Sequence, residues 1–144
     1  MSVQTIKILI AGALLLHGLG HGGAIGALIW IGRSRGMKTG GWLAARSWLL
    51  PSLSAPAATA VARTFWILSL IGFVAAAVSF WGILVPGYAW RQLALASSIV
   101  STLGIVLFLG TWPTFNTLAA LGMNAAVLVT QLWLRWPPEA MFGK

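Results

Sequence analysis

Residues 8–31 read ILIAGALLLHGLGHGGAIGALIWI, an unbroken stretch without Lys, Arg, Asp or Glu. A hydrocarbon core about 30 Å thick is crossed by about 20 helical residues, so this one segment is long enough to span a bilayer. Lys7 stands directly before it and Arg33 and Arg35 directly after it, as basic residues do at helix ends among lipid headgroups. Lys7 followed by an apolar run also resembles the start of a signal peptide. The run, however, continues through HGLGHGGAIGALIWIG, where no A-x-A cleavage site occurs, and is therefore read as a retained span.

Working outward, three more runs have the same character: residues 65–85, 93–112 and 118–136. The only charged side chain in any of the four is Arg135, at the extreme end of the last, where it can snorkel to the interface. Trp30, Trp66, Trp81, Trp112, Trp133 and Trp136 fall near run ends, the arrangement expected of an aromatic belt. Nothing alternates with period two, which disfavours a β-barrel. The linkers PGYAWRQ (86–92) and PTFN (113–116) are short and force antiparallel neighbours. The predicted fold is all-α, an integral membrane antiparallel four-helix bundle, with residues 1–144 as a single transmembrane domain.

Composition agrees. The chain is 59% hydrophobic and 7% charged, against about 25% charged in soluble domains. Its one acid is Glu139, so a solvated surface of ion pairs cannot form. The net charge of +8 comes from Lys and Arg scattered between apolar runs. That pattern excludes a nucleic-acid binder, which gathers its charge on one polar face, and points to anionic lipid headgroups. Cysteine is absent, which removes disulfides, thiolate metal sites and thiol catalysis.

The first linker, residues 32–64, carries Arg33, Arg35, Lys38, Arg46 and Arg63 around WLAARSWLLP (42–51). A basic stretch with Trp42 and Trp48 is expected to lie along the interface; an ordinary loop packed on the bundle is the alternative. Four spans put Lys7, Arg91, Arg135 and Lys144 on one side and the five basic residues of this linker on the other. The cluster Arg33, Arg35 and Lys38 leans the first linker toward the cytoplasm, with a bacterial inner membrane as the expected location.

His17 and His21 stand one turn apart on one helix face at bilayer depth, where an ionisable side chain is a functional hypothesis. They are expected to face the bundle interior as neutral imidazoles. Each could serve as an axial ligand to a haem or chlorophyll-type macrocycle, or donate to a quinone carbonyl; equally, both could simply link helices by hydrogen bonds. A metal site is not expected, because further ligands are wanting and Gly18 replaces the Glu of a zincin motif. Gly18, Gly22 and Gly26 form a G-x-x-x-G-x-x-x-G stripe suited to helix packing, self-association or a ligand groove. Asn116, Asn124 and Gln131 recur within about one face of the fourth run and its approach, while Ser97, Ser98, Ser101 and Thr102 lie on the third. Lipid rejects unpaired amides, so a polar interior containing Asn116, Asn124, Gln131 and Ser101 is predicted, with the histidines as partners.

HGLGH at 17–21, Arg63, Trp66 and Leu68 in the second run, and Trp112, Phe115, Thr117 and Leu118 before the fourth resemble a bacterial family of small four-helix membrane proteins. Its members open with an HGLIH-like motif and carry a W-x-D-x-x-F-G-T-like stretch before the last helix, and they are similar to DoxX-like proteins. The resemblance implies that His17, Gly18, His21, Arg63, Trp112, Phe115 and Thr117 are the matching positions. It also implies quinone-linked redox work, since DoxX is associated with a membrane thiosulfate:quinone oxidoreductase. Here the spacing from Trp112 to Phe115 is shorter than in the family and no Asp lies between. With no complete catalytic constellation, the chain is read as a non-enzymatic accessory or structural subunit, meeting a membrane-protein partner or its own copies through the glycine stripe and the Trp-rich first linker. A quinone-, haem- or chlorophyll-binding redox subunit is the alternative.

Overall fold

The computed structural model describes residues 1–35 and 46–138, and the side chains of residues 27–35 fall outside that description. Trp42, Lys38 and Glu139, and with them the expected interfacial placement of Trp42, lie outside the described residues. The fold is all-α: α1 (Val3–Arg35), α2 (Ala55–Ser79), α3 (Trp90–Leu107) and α4 (Thr114–Leu128). A 3-10 turn (Gly87–Ala89) precedes α3, and a π-helical turn (Val129–Trp133) prolongs α4. Four helices are long and apolar enough to cross a membrane: Val3–Gly26, Ala55–Ser79, Gly87–Leu107 and Thr114–Trp133.

Helix α2 departs most from the apolar run that announced it. It begins at Ala55, well before Phe65, because Ser54 caps it through a hydrogen bond from the Ala57 N–H (3.4 Å) and Pro56 suits its first turn. The alanine-rich stretch that follows favours helix regardless of polarity. Arg63 therefore sits on an exposed face inside the helix rather than in a linker. At the other end the helix stops at Ser79, before the run does. Gly82 adopts the left-handed region (φ 66°), and residues 80–86 form a turn that exposes Trp81, Ile83 and Leu84.

This shift also moves Trp66. It lies about three turns into α2, is only 2% exposed, and pairs edge-to-face with Trp112, ring centroids 5.1 Å apart. Trp66 thus belongs to the core and not to the belt, and Trp112 is partly buried against it between α3 and α4, whereas Trp81 and Trp133 are exposed near helix ends.

The helices pack in chain order, α1 on α2, α2 on α3 and α3 on α4. All pairs are antiparallel. Along α1, Leu14 joins Phe73 and Ala77 in one apolar cluster, while Ile25 reaches Ala58, Ala62 and Trp66 in the other. Between α2 and α3, Gly104 faces Phe65 and Gly72 faces Ser97. The first cluster fills the end of the bundle near the α2–α3 turn, with Trp90, Ala94 and Val127; the second fills the opposite end with Phe108. A polar layer separates them.

A polar layer at the end of an open groove

The layer is built from three helices. His17 Nε2 donates to Asn124 Oδ1 (2.8 Å), Asn124 Nδ2 donates to Ser101 Oγ (2.8 Å), and Ser101 Oγ lies 3.0 Å from His21 Nε2. One turn of α1 thus brings two imidazoles to one amide on α4 and one hydroxyl on α3. Phe73 of α2 completes the enclosure. Its ring meets His17 edge-on, with centroids 4.5 Å apart, and stacks parallel to His21 at 6.2 Å. His21, Asn124 and Ser101 are buried, and His17 is partly so.

Beside this layer α1 and α4 face each other across a groove of about 560 Å³. His17 and His21 line it, together with Leu16, Gly20 and Gly23 of α1. Phe115, Asn116 and Thr117 form the α4 wall, and Trp66, Ile105 and Trp112 are the remaining aromatic and apolar surface. Leu16 (72% exposed) and Phe115 (80% exposed) stand at its lips, so the cavity opens outward between the two helices. Gly20 and Gly23 keep it wide, since a side chain at either position would meet nothing within 4 Å.

The three amides of the fourth run do not converge. Asn124 enters the polar layer, whereas Asn116 is exposed and lines the groove. Gln131 is buried but turns away, its Nε2 donating to Trp136 O (2.9 Å) within the π-helical turn and the loop after it. The wider π turn changes the rotation per residue, so an even spacing of amides in the sequence does not produce one polar face. Ser97 bonds back to Leu93 O (2.7 Å), and Ser98 Oγ is buried without a partner. The glycine stripe also divides. Gly18 packs against Phe73 and Leu70, and Gly22 against Leu70, both on α2, while nothing lies within 4 Å of a side chain placed at Gly26.

Sequence reasoning passed over Phe73, Gly20 and Gly23. The glycines carried a signal, because HGLGHGG holds more glycine than one packing stripe uses. Phe73 carried none, being one apolar residue among many in α2. Of the positions aligned by the family resemblance, Trp112, Phe115 and Thr117 line the groove with His17 and His21, and Gly18 packs behind them. Arg63 stands apart on the exposed face of α2.

The features together define an all-helical chain with four potential membrane spans and a buried His-Asn-Ser-His layer that adjoins an open groove. Compared with known protein families, curated proteins and solved structures, the chain has no match.

Proposed function

We propose that this chain is a membrane-embedded binding protein that admits a small lipid-soluble molecule sideways from the bilayer into the groove between α1 and α4. The observation that carries this reading is the union of a polar layer and an open cavity. Ligand sites occupy about 300–1,000 Å³, are mostly apolar, and hold a few convergent polar groups; a groove of about 560 Å³ between Trp66, Trp112 and the two histidines fits that description. A hydrogen bond that merely tied helices together would require no cavity beside it.

A quinol, the hydroxyl-bearing reduced form of a quinone, in a bacterial inner membrane is one candidate, and the DoxX-like resemblance points the same way. A haem or chlorophyll-type macrocycle suits the geometry less well, because both Nε2 atoms are engaged with Asn124 and Ser101. The accessory-subunit reading draws on the glycine stripe and the Trp-rich first linker; of the stripe, Gly18 and Gly22 face α2 and leave Gly26 for a partner.

An apolar diazirine probe, photolysed with the purified protein in lipid nanodiscs, tests the proposal. Labelling is expected at the α1 and α4 walls, and Gly23→Leu, whose Cβ has open space and whose side chain would occupy the groove, is expected to abolish it while the helical content stays constant. Labelling spread evenly over lipid-facing positions such as Ile71 and Leu103, and indifferent to Gly23→Leu, would exclude the groove as a site.

A further inference from the structure

We infer that the groove selects a ligand whose polar head both donates and accepts a hydrogen bond, a hydroxyl on a hydrocarbon scaffold. The reason is that the polar layer holds its two imidazoles in opposite tautomers. This rests on the groove being a ligand site, as proposed above.

The tautomers follow from counting protons along the chain of bonds. An amide oxygen only accepts, so His17 Nε2 carries its proton toward Asn124 Oδ1. Asn124 Nδ2 then donates to Ser101 Oγ, which leaves the Ser101 proton for another acceptor. Ser97 sends its proton back to Leu93 O, but Ser101 makes no such bond among the described residues, and its neighbour on the open side is His21 Nε2. His21 therefore accepts at Nε2.

Neither ring has a carboxylate beside it among the described residues, and an unpaired charge at bilayer depth costs several kcal/mol. Both rings are neutral, with one proton each. His17 is then left with a lone pair at Nδ1, and His21 with an N–H at Nδ1.

Exchanging the oxygen and nitrogen of the Asn124 amide does not alter the conclusion. The reversed amide donates to His17 and accepts from Ser101, and Ser101 accepts from His21. Every bond changes direction and the rings exchange roles, yet they remain opposite. Whichever way the amide points, the groove offers one imidazole donor and one imidazole acceptor.

Both rings line the groove one helical turn apart, with centroids 5.1 Å from each other, so one polar head can meet both. A hydroxyl oxygen gives its proton to one ring and accepts from the other. A ketone, an ester or an ether accepts only, and leaves the acceptor ring without a partner. The selected class is a neutral alcohol or phenol carried on an apolar body, with its hydrocarbon part against Trp66 and Trp112.

Two measurements test this. The chain has only two histidines, so ¹⁵N spectra of histidine-labelled protein in nanodiscs should show one Nε2–H and one Nδ1–H ring; two rings of the same tautomer would overturn the inference. In competition against the diazirine probe, a long-chain alkyl phenol should displace it about tenfold better than the matching methyl ether, as expected for one hydrogen bond gained. His17→Phe, which removes the acceptor ring, should erase that preference while the probe still labels the groove. Equal displacement by phenol and ether, with the probe bound in the groove, overturns the selectivity and leaves the binding site standing. Absence of groove labelling by the probe overturns both.

Discussion

Asn124 holds the polar layer together at the scale of single residues, because both of its amide atoms are used and they reach different helices. Asn124→Leu should leave His17 Nε2 and Ser101 Oγ without their partner in a buried layer, lowering stability by about 1–2 kcal/mol. Reversible unfolding in mixed lipid-detergent micelles measures this, and an unchanged midpoint would show that the layer contributes no stability. His17→Gln, which keeps a donor for Asn124, should lose less than His17→Leu by the same assay. The histidine pair and its need for a partner were legible in the sequence, since no other ionisable group lies so deep in an apolar run. Which of Asn116, Asn124 and Gln131 would serve was not, because that depends on the rotation of α4 against α1 and on the π turn that carries Gln131 away.

Among the elements, the α2–α3 contact depends on glycine. A methyl group at Gly104 would come within 2.7 Å of Phe65 Cβ, close to the backbone and so unable to swing aside. Gly104→Ala should therefore push the two helices apart and lower stability by about 1–3 kcal/mol. Gly122→Ala on α4 meets nothing within 4 Å and should be neutral or slightly stabilising, since alanine is the better helix former. Thermal melts of the two variants side by side separate close packing from helix propensity; equal losses would contradict this account. Nothing in the sequence marks Gly104 over Gly122. Both sit in apolar runs, and only the approach of Phe65 distinguishes them.

Across the whole molecule, two basic residues frame the site. Lys7 lies about 15 Å before His17 along α1, and Arg63 about 15 Å before Phe73 along α2, at about 1.5 Å per residue. His17 and Phe73 touch and the helices run antiparallel. If both basic groups rest at headgroup level, about 30 Å separates them, the thickness of a hydrocarbon core, and the histidines lie near its midplane. A spin label at Gly20 should then show the greatest depth in power-saturation measurements, with labels at Lys7 and Arg63 close to the surface. A shallow signal at Gly20 would reject this frame. The same arrangement puts residue 2 and the α2–α3 turn on one side and residues 46–54 on the other, so single cysteines at Ser2 and Ser52 should label from opposite sides. Labelling of both from one side would reject the topology.

The sequence by itself determined the class of fold. Four uninterrupted apolar runs leave the backbone only one way to satisfy its hydrogen bonds in an apolar medium, within helices, and the short connections between the last three make those neighbours antiparallel. It also determined that His17 and His21 share a face, because a spacing of four is a property of one helix. The tertiary structure decided what lies between helices. It moved Trp66 into the core by starting α2 at its Ser54 cap, chose Asn124 and Ser101 as the partners of the histidines, and spent Gly18 and Gly22 on α2 rather than on an outer face. It also left α1 and α4 apart along Gly20 and Gly23, so that the polar layer opens into a groove. Periodicity along one helix fixes angles about its own axis, whereas the gap between two helices depends on how both are rotated and on which small residues meet, and no single run of sequence contains that information.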